Sequence, residues 1–271
     1  MNKINIFCTS LNHYKIIDKL PEYIIPLGLG KNLFPSNWYD EKRGKNISEL
    51  NHYYGELTGL YWIWKNKVNE MNENEYIGNC HYRKLWLNKN YLTKQRLSFS
   101  SLNAKIFNPL KYNINKIDCV QVQPIIFKNK NLKEDFYEIH KTNILEESLN
   151  FLSDEYKDKF SRHINEKKLY PLNMFITKVH FFKKYCEVIF PWLEKSLNLC
   201  LQRNLCKNYN TRLPAFLAER FTSFWFSQYN NKQFLSYARL GKVFLSNNLN
   251  RFINPIKFPF TFRMYPTLHR Y

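Results

Sequence analysis

The sequence predicts an α/β domain with a mostly parallel sheet, and three observations carry that expectation. Short apolar runs such as Ile4–Thr9, YIGNC and LNMFITK alternate with longer segments whose apolar residues recur every three or four positions, which marks strands exchanging with amphipathic helices. A hydrophobic share of 44% over 271 residues supplies a substantial core and excludes a disordered chain. No apolar stretch reaches the roughly 18 residues that a membrane span needs.

Taken in order, Ile4–Thr9 is a buried first strand that ends in the polar loop SLNHYK. PEYIIPLGLG, with two prolines and two glycines, is a loop-bounded second strand rather than a helix. A polar loop over Lys31–Lys45 leads to Asn46 and Ser48, either of which suits a helix N-cap. Ile47, Leu50, Tyr54, Leu57, Tyr61 and Trp64 then form one face of a long amphipathic helix. Tyr76–Cys80 is a strand with His81, Tyr82 and Arg83 at its C-terminal end, followed by a loop-rich basic region from Leu85 to Lys116. IDCVQVQPIIF alternates like a strand, and Asn131–Leu152 is helical. After the LNMFITK strand, a helix over HFFKKYCEVIFPWLEKSLNLCLQR is kinked or split at Pro191. LPAFLAERFTSFWFSQY is the last helix, with Pro214 in its first turn. These elements define a domain over residues 1–235, followed by a basic aromatic C-terminal extension over 236–271.

The formal net charge of +19 bears on partners, not on fold. It favours a polyanion: nucleic acid, an anionic membrane face or a phosphorylated substrate. Part of the excess follows from a composition rich in Lys, Asn and Ile. The six cysteines are scattered without metal-finger spacing, which suits a reducing compartment, and the N-terminus has no secretory signal pattern, so the expected location is cytoplasmic.

In an open α/β sheet ligands bind beyond the carboxyl ends of the strands. That rule gathers the His13 loop, the His81–Tyr82–Arg83 segment and the Asn173 region on one rim. His81 and Arg83, two apart in an extended segment, point the same way and suit a phosphate, with Lys84 adding charge. On the helix, Gly55 and Gly59 share a face, each costing roughly 1 kcal/mol relative to Ala; close packing against a strand or a ligand against the backbone would offset that. Asn51, Thr58, Trp62 and Lys65 continue the neighbouring face, and Glu56 is either a surface ion pair or part of the site. In RLPAFLAER, Arg212, Glu219 and Arg220 are the polar residues of a greasy helix. Glu219 is either paired with an arginine or a general base.

The glycine-rich phosphate loops, the G-x-S-x-G elbow and H-E-x-x-H are missing from the sequence, and so is a D-x-D pair to hold a divalent ion against a diphosphate. Any diphosphate would be neutralised by His, Arg and Lys, with no metal required and no metal-ligating residues assigned.

NISELNHYYGELTGLYWIWKN, YIGNCHYRK, NMFI, YCEVIFPWL and LAERF, in that order between Ile4 and Tyr229, resemble a bacterial glycosyltransferase-like domain family long catalogued as of unknown function and found in capsular polysaccharide and lipopolysaccharide gene clusters. The resemblance implies a GT-A-like, Rossmann-type fold. It also implies a nucleotide-sugar donor such as a UDP-sugar, a growing or lipid-linked glycan as acceptor, and transfer of galactofuranose or a related hexose. On that reading His81, Glu56 and Glu219 are catalytic, and Arg83, Lys65, His13, Asn51 and Thr58 bind the donor diphosphate. Asn173, Met174, Trp62 and Tyr82 hold sugar or acceptor. Lys45 stands where the family usually carries an acidic residue, and HYRK replaces the usual HYRR.

Two other classes compete on composition alone. One is a nucleic-acid-binding protein; the other is a non-catalytic partner of the anionic inner leaflet, to which the basic aromatic tail would attach. The ordered motifs favour the enzyme, peripheral on the inner membrane face, with no nucleic acid as partner.

Overall fold

The computed structural model describes residues 3–88 and 104–240. Its centre is β1 (Ile4–Ser10), whose side chains are buried on both faces. β1 pairs in parallel with β2 (Ile24–Gly28), which in turn pairs in parallel with the short edge strand β3 (Tyr39–Asp40). Two helices follow, α1 (Asn51–Tyr54) and α2 (Leu57–Asn66). β4 (Tyr76–His81) pairs in parallel with the other side of β1, and β5 (Lys84–Trp86) turns back on it. β6 (Cys119–Val122) and β7 (Ile125–Ile126) are followed by α3 (Leu132–His140), α4 (Ile144–Ser148) and α5 (Asp154–Ile164). β8 (Lys168–Leu169), β9 (Phe175–Lys178), α6 (Val179–Gln202), α7 (Leu213–Ser227), β10 (Lys232–Leu235) and β11 (Tyr237–Arg239) complete the order.

Among the described residues, nine strands form one mostly parallel sheet along β10-β6-β9-β4-β1-β2-β3, with β5 and β11 branching from β4. β9 is inserted antiparallel between β4 and β6. Its first residues therefore lie at the same rim as the last residues of β1 and β4. β7 and β8 form a separate two-stranded ribbon.

Strand alternation divides the core between the two sheet faces. Phe7, Ile77 and Phe175 point to the face covered by α2, α6 and α7, where Leu60, Phe182, Tyr185 and Phe221 pack. Ile6, Cys80, Met174 and Ile176 point to the other face, against Trp86, Phe107 and Leu235. α7 is buried on nearly every side, as a helix lodged between other helices and the sheet must be.

Several expectations change. The long helix beginning at Asn46 or Ser48 is broken. Asn46 accepts from the Ser48 N–H at 3.2 Å in a local turn, but the 3-10 turn that follows (Ser48–Leu50) has Ile47 at its N-cap position and no side-chain cap. Gly55, at φ +55° and ψ −129°, separates α1 from α2. Gly55 and Gly59 thus do not share a helix face. At Gly59 the packing explanation holds, since a Cβ would meet Leu29 at 3.0 Å and Thr9 at 3.1 Å. Pro191 does not split its helix: α6 runs 24 residues through it, its flanking Phe190, Trp192 and Leu193 all buried. Asn131–Leu152 forms separate pieces, with α3 started by an Asn131–Glu134 capping box and stopped by Lys141 in the left-handed region. IDCVQVQPIIF breaks at Pro124, which donates no backbone N–H, and β6 is buried on both faces rather than alternating. In the basic region β5 is a strand, and two 3-10 turns follow at Pro109–Lys111 and Ile114–Lys116. Of the C-terminal extension, β11 pairs antiparallel with β5 as part of the main sheet; the remainder from 241 lies outside the described residues. All six cysteines are free thiols, and among the described residues no helix is long and apolar enough to cross a membrane.

α7 also carries buried polar anchors. Arg220, 2% exposed, donates to Asp135 Oδ2 at 2.7 Å and to Glu219 Oε2 at 2.9 Å. Lys130 closes on the second Asp135 oxygen at 2.9 Å. One turn on, the Ser223 hydroxyl accepts from the Tyr170 N–H at 3.0 Å, which leaves its proton for His163 Nε2 at 3.1 Å. Burial, then Arg220, holds the His163 imidazole down at about 4, so its 3.3 Å contact with Glu166 is that of a neutral ring. The unfolded chain takes up this proton first as pH falls. The stability is complete above the ordinary histidine value of 6.5 and is lost progressively toward 4. Unfolding midpoints measured across that range will drop, with His163 contributing at most roughly 3 kcal/mol; a His163→Gln variant will show a shallower decline.

Candidate active site

The rim predicted from strand ends is present. β1 delivers Thr9 and Ser10, β4 delivers His81, and Asn173 stands two residues before β9. Facing them are the α1–α2 break, with Gly55 and Glu56, and Arg212 at the end of a 3-10 turn (Asn208–Arg212) that leads into α7. Together they enclose a cavity of about 410 Å³.

β4 and β5 are joined by a two-residue turn, Tyr82–Arg83, with His81 and Lys84 directly paired across it. His81 and Arg83 therefore do not lie along one extended segment as expected; all four residues line the cavity because the chain reverses there. Tyr82 stacks on Tyr14 at 5.1 Å, and the Arg83 guanidinium lies 5.1 Å over the Tyr82 ring. The Arg83 carbonyl accepts from the Leu240 N–H at 2.8 Å, which ties this turn to the strand after β10.

Glu56 is the centre of the site. Its Oε1 accepts from the Asn173 amide at 3.0 Å and its Oε2 from Arg212 at 2.9 Å. Burial alone would raise its pKa, but His81, Arg212 and the Asn173 hydrogen bond outweigh it and hold it down at about 2. His81 moves the other way from a cation: burial, with Lys84, Arg212 and Arg83 near, brings it down to about 4 against the pull of Glu56. At neutral pH the pair is a carboxylate beside a neutral imidazole. The Thr9 hydroxyl donates to the Cys80 carbonyl at 3.2 Å and lies 3.2 Å from His81 Nδ1. With its proton so committed, Thr9 accepts from Nδ1–H, and Nε2 carries the lone pair.

Asn173 is held on every side. Its amide also reaches the Ala215 carbonyl at 3.4 Å, its Oδ1 accepts from Thr222 at 3.1 Å, and its backbone carbonyl accepts from Asn79. Leu172 before it has φ +71°, uncommon for a branched side chain, and Glu219 Oε1 fixes its N–H at 2.7 Å. Glu219 lines the cavity, yet with one oxygen on Leu172 and the other on Arg220 it is a clamp for this loop. The arginine-paired alternative describes it better than a general base.

Two cations remain. Among the described residues neither Arg83 nor Lys84 has an ion-pair partner, although Lys84 feels the fields of Glu56 and Glu219 while burial lowers its pKa.

The structure thus brings together Glu56, His81, Arg83, Tyr82, Asn51, Asn173 and Glu219. It does not bring the other five candidates. His13 bonds Asp18 at 2.8 Å and packs edge-on to Trp38, outside the cavity. Lys65 sits 3.3 Å over the Trp64 ring at the far end of α2, because the helix runs away from the rim. Thr58 is buried below, accepting from Asn51 at 2.9 Å; Trp62 is core and donates to the Arg43 carbonyl. Met174 points through the sheet to the opposite core, since neighbours of Asn173 in extended backbone alternate. Asn51 lines the cavity, but its amide is used on Thr58 and the Gly55 carbonyl.

Arg212 and Lys84 were weighted too lightly by the sequence. The signal for Arg212 was Gly55, which looked helical but is the surface on which Arg212 lies: a Cβ there would come within 2.2 Å of the guanidinium. Among the described residues no group of three or more His, Cys, Asp and Glu side chains could hold a metal ion.

A Gly55→Ala substitution meets two penalties, a backbone conformation L residues avoid and a collision with Arg212. It will destabilise the fold by about 1–3 kcal/mol. In an Arg212→Ala background the same change will cost less, because only the backbone strain remains; denaturant titrations of the four proteins check this.

The family model described as "Domain of unknown function (DUF4422)" matches residues 5–232. No curated protein matches the chain. Among solved structures, that of the WbbM bifunctional glycosyltransferase in its apo form is similar, with a TM-score of 0.68 and 20% identity. The match covers 89% of this chain and 46% of that one, so the chain spans less than half of that protein's length. The likeness makes the fold GT-A-like.

Proposed function

We propose that this chain, which belongs to the DUF4422 family, is a glycosyltransferase that moves a sugar from a nucleoside-diphosphate sugar to a glycan hydroxyl. The observation that carries the reading is the cavity at the strand ends with Arg83 and Lys84 facing it and no anion among the described residues paired to either. Unpaired cations at a half-enclosed site await a ligand's negative charge. A GT-A-like fold similar to that of a glycosyltransferase supports the same class.

In the reaction Arg83 and Lys84 grip the diphosphate, supplying the positive charge that a divalent ion supplies elsewhere, so a metal is not required. The acceptor oxygen forms its bond to the anomeric carbon as the bond from that carbon to the diphosphate oxygen breaks. The electron pair leaves with the nucleoside diphosphate, whose growing charge the two cations stabilise. The hydroxyl proton passes to Glu56, whereas Glu219 is committed to Leu172 and Arg220, if configuration inverts. His81, neutral with Nε2 as acceptor, orients a sugar hydroxyl, and Tyr82 offers a ring face beside it. The donor is a UDP-sugar of galactofuranose or a related hexose. The acceptor is a capsular polysaccharide or lipopolysaccharide glycan, growing or lipid-linked at the cytoplasmic face of the inner membrane.

A thermal-shift and hydrolysis screen with UDP-, GDP-, CMP- and dTDP-sugars, with and without EDTA, tests the reading. One class of sugar nucleotide will stabilise the protein, unaffected by EDTA. Arg83→Ala or Lys84→Ala will weaken that binding by roughly 10- to 100-fold, the loss of one charge-assisted hydrogen bond. Salt-dependent oligonucleotide binding with no response to any sugar nucleotide would overturn it.

A further inference from the structure

Arg212 compensates the charge of a largely buried Glu56 from a position open to solvent. Its side chain is 50% exposed, and it crosses the bare backbone of Gly55 to reach a Glu56 side chain that is only 17% exposed. The chain places a glycine, in a conformation that L residues avoid, beneath the guanidinium, so that it reaches this carboxylate while half of it stays in solvent. Both residues line the cavity that also holds Arg83 and Lys84. The other groups facing Glu56 are fixed: His81 is tied to Thr9, Asn173 is held by Asn79 and Thr222, and Tyr185, across on α6, bonds Thr222. Lys84 is confined to β5. Arg212 alone among them sits on a 3-10 turn with half its surface in solvent.

We infer that Arg212 is a shared cation: it is parked on Glu56 before the donor binds, passes to the donor's diphosphate on binding, and so releases Glu56 to take the acceptor's proton. This rests on the proposed transferase reading and adds a residue and an order of events to it. The chemistry favours the exchange, because a guanidinium that trades one carboxylate oxygen for a diphosphate gains bidentate geometry and more negative charge. The exchange also makes the base strong only when the leaving group is in place. With Arg212 on its carboxylate, Glu56 is a poor base; with Arg212 gone, its proton affinity rises.

The test is titration of Glu56 by carbon NMR in protein labelled at glutamate, assigned with Glu56→Gln, in the presence and absence of saturating UDP, or of whichever of GDP, CDP and dTDP binds. In the wild type the ligand will raise the Glu56 pKa by about 1–3 units. In Arg212→Gln the value will start higher without ligand, and the further rise on binding will be smaller, because only the ligand's own charge then acts. The same variant will bind the diphosphate roughly tenfold more weakly, and Arg212→Lys will recover part of that affinity. Equal ligand-induced rises in wild type and Arg212→Gln mean that Arg212 stays on Glu56, which overturns the inference while leaving the transferase reading intact. Wild-type diphosphate affinity in Arg212→Gln overturns it as well. Failure of every nucleoside diphosphate to bind the wild type removes the transferase reading and this inference with it. Arg212 is half exposed, so its variants will fold, and circular dichroism verifies that.

Discussion

The site hangs from one buried guanidinium. Arg220, almost without solvent, is bonded to Asp135 on one side and Glu219 on the other. Two charges brought inside a protein cost several kcal/mol each, and removing one partner strands the other. The grouping is therefore tolerated only as a unit, and it pins α3 to α7. Glu219 uses its second oxygen on the Leu172 N–H, Leu172 fixes Asn173, Asn173 holds Glu56, and Glu56 holds Arg212. A continuous line of polar contacts leads from the core to the cleft. Each member limits the conformations of the next, so the cleft inherits its shape from the helix packing behind it.

Topology supplies the other half. Parallel strands alone would bring only their carboxyl ends to the rim. Because β9 is inserted in the reverse direction between β4 and β6, the segment that leads into it arrives at the same place, and an amide from late in the chain meets a carboxylate from the first third. The break at Gly55 does the complementary thing on the helical side. It ends one helix and begins the next within two residues, so that a backbone corner, and not the side of a continuous helix, faces the strands.

How much of this was legible follows from range. Local patterns revealed themselves: the strand ending at His81, the helix beginning after Asn131, the proline in the first turn of α7. The rim itself was predictable, since the strand-end rule needs only element order. What failed depended on distant partners. Lys65 and Trp62 share a helical periodicity with residues that do reach the cavity, but periodicity does not reveal where a helix breaks, and Gly55 breaks it. Met174 stands beside Asn173 and points through the sheet, which only knowledge of the strand's phase could show. Glu219 and Arg220 were visible as paired polar residues in an apolar helix, yet Asp135, the partner that makes the pair affordable, lies 85 residues away. Arg212 was the hardest case, because its partner Glu56 is 156 positions distant.

The hydrogen bond from the Leu240 N–H to the Arg83 carbonyl has a mechanical meaning. The reverse turn that presents Arg83 is a two-residue link, and its outer carbonyl is fastened to the place where the chain leaves β11. Tension or docking applied beyond Leu240, itself a core residue, would be delivered to the backbone of Arg83 through a single hydrogen bond. A load applied there would thereby act on the turn that places Arg83 at the cavity.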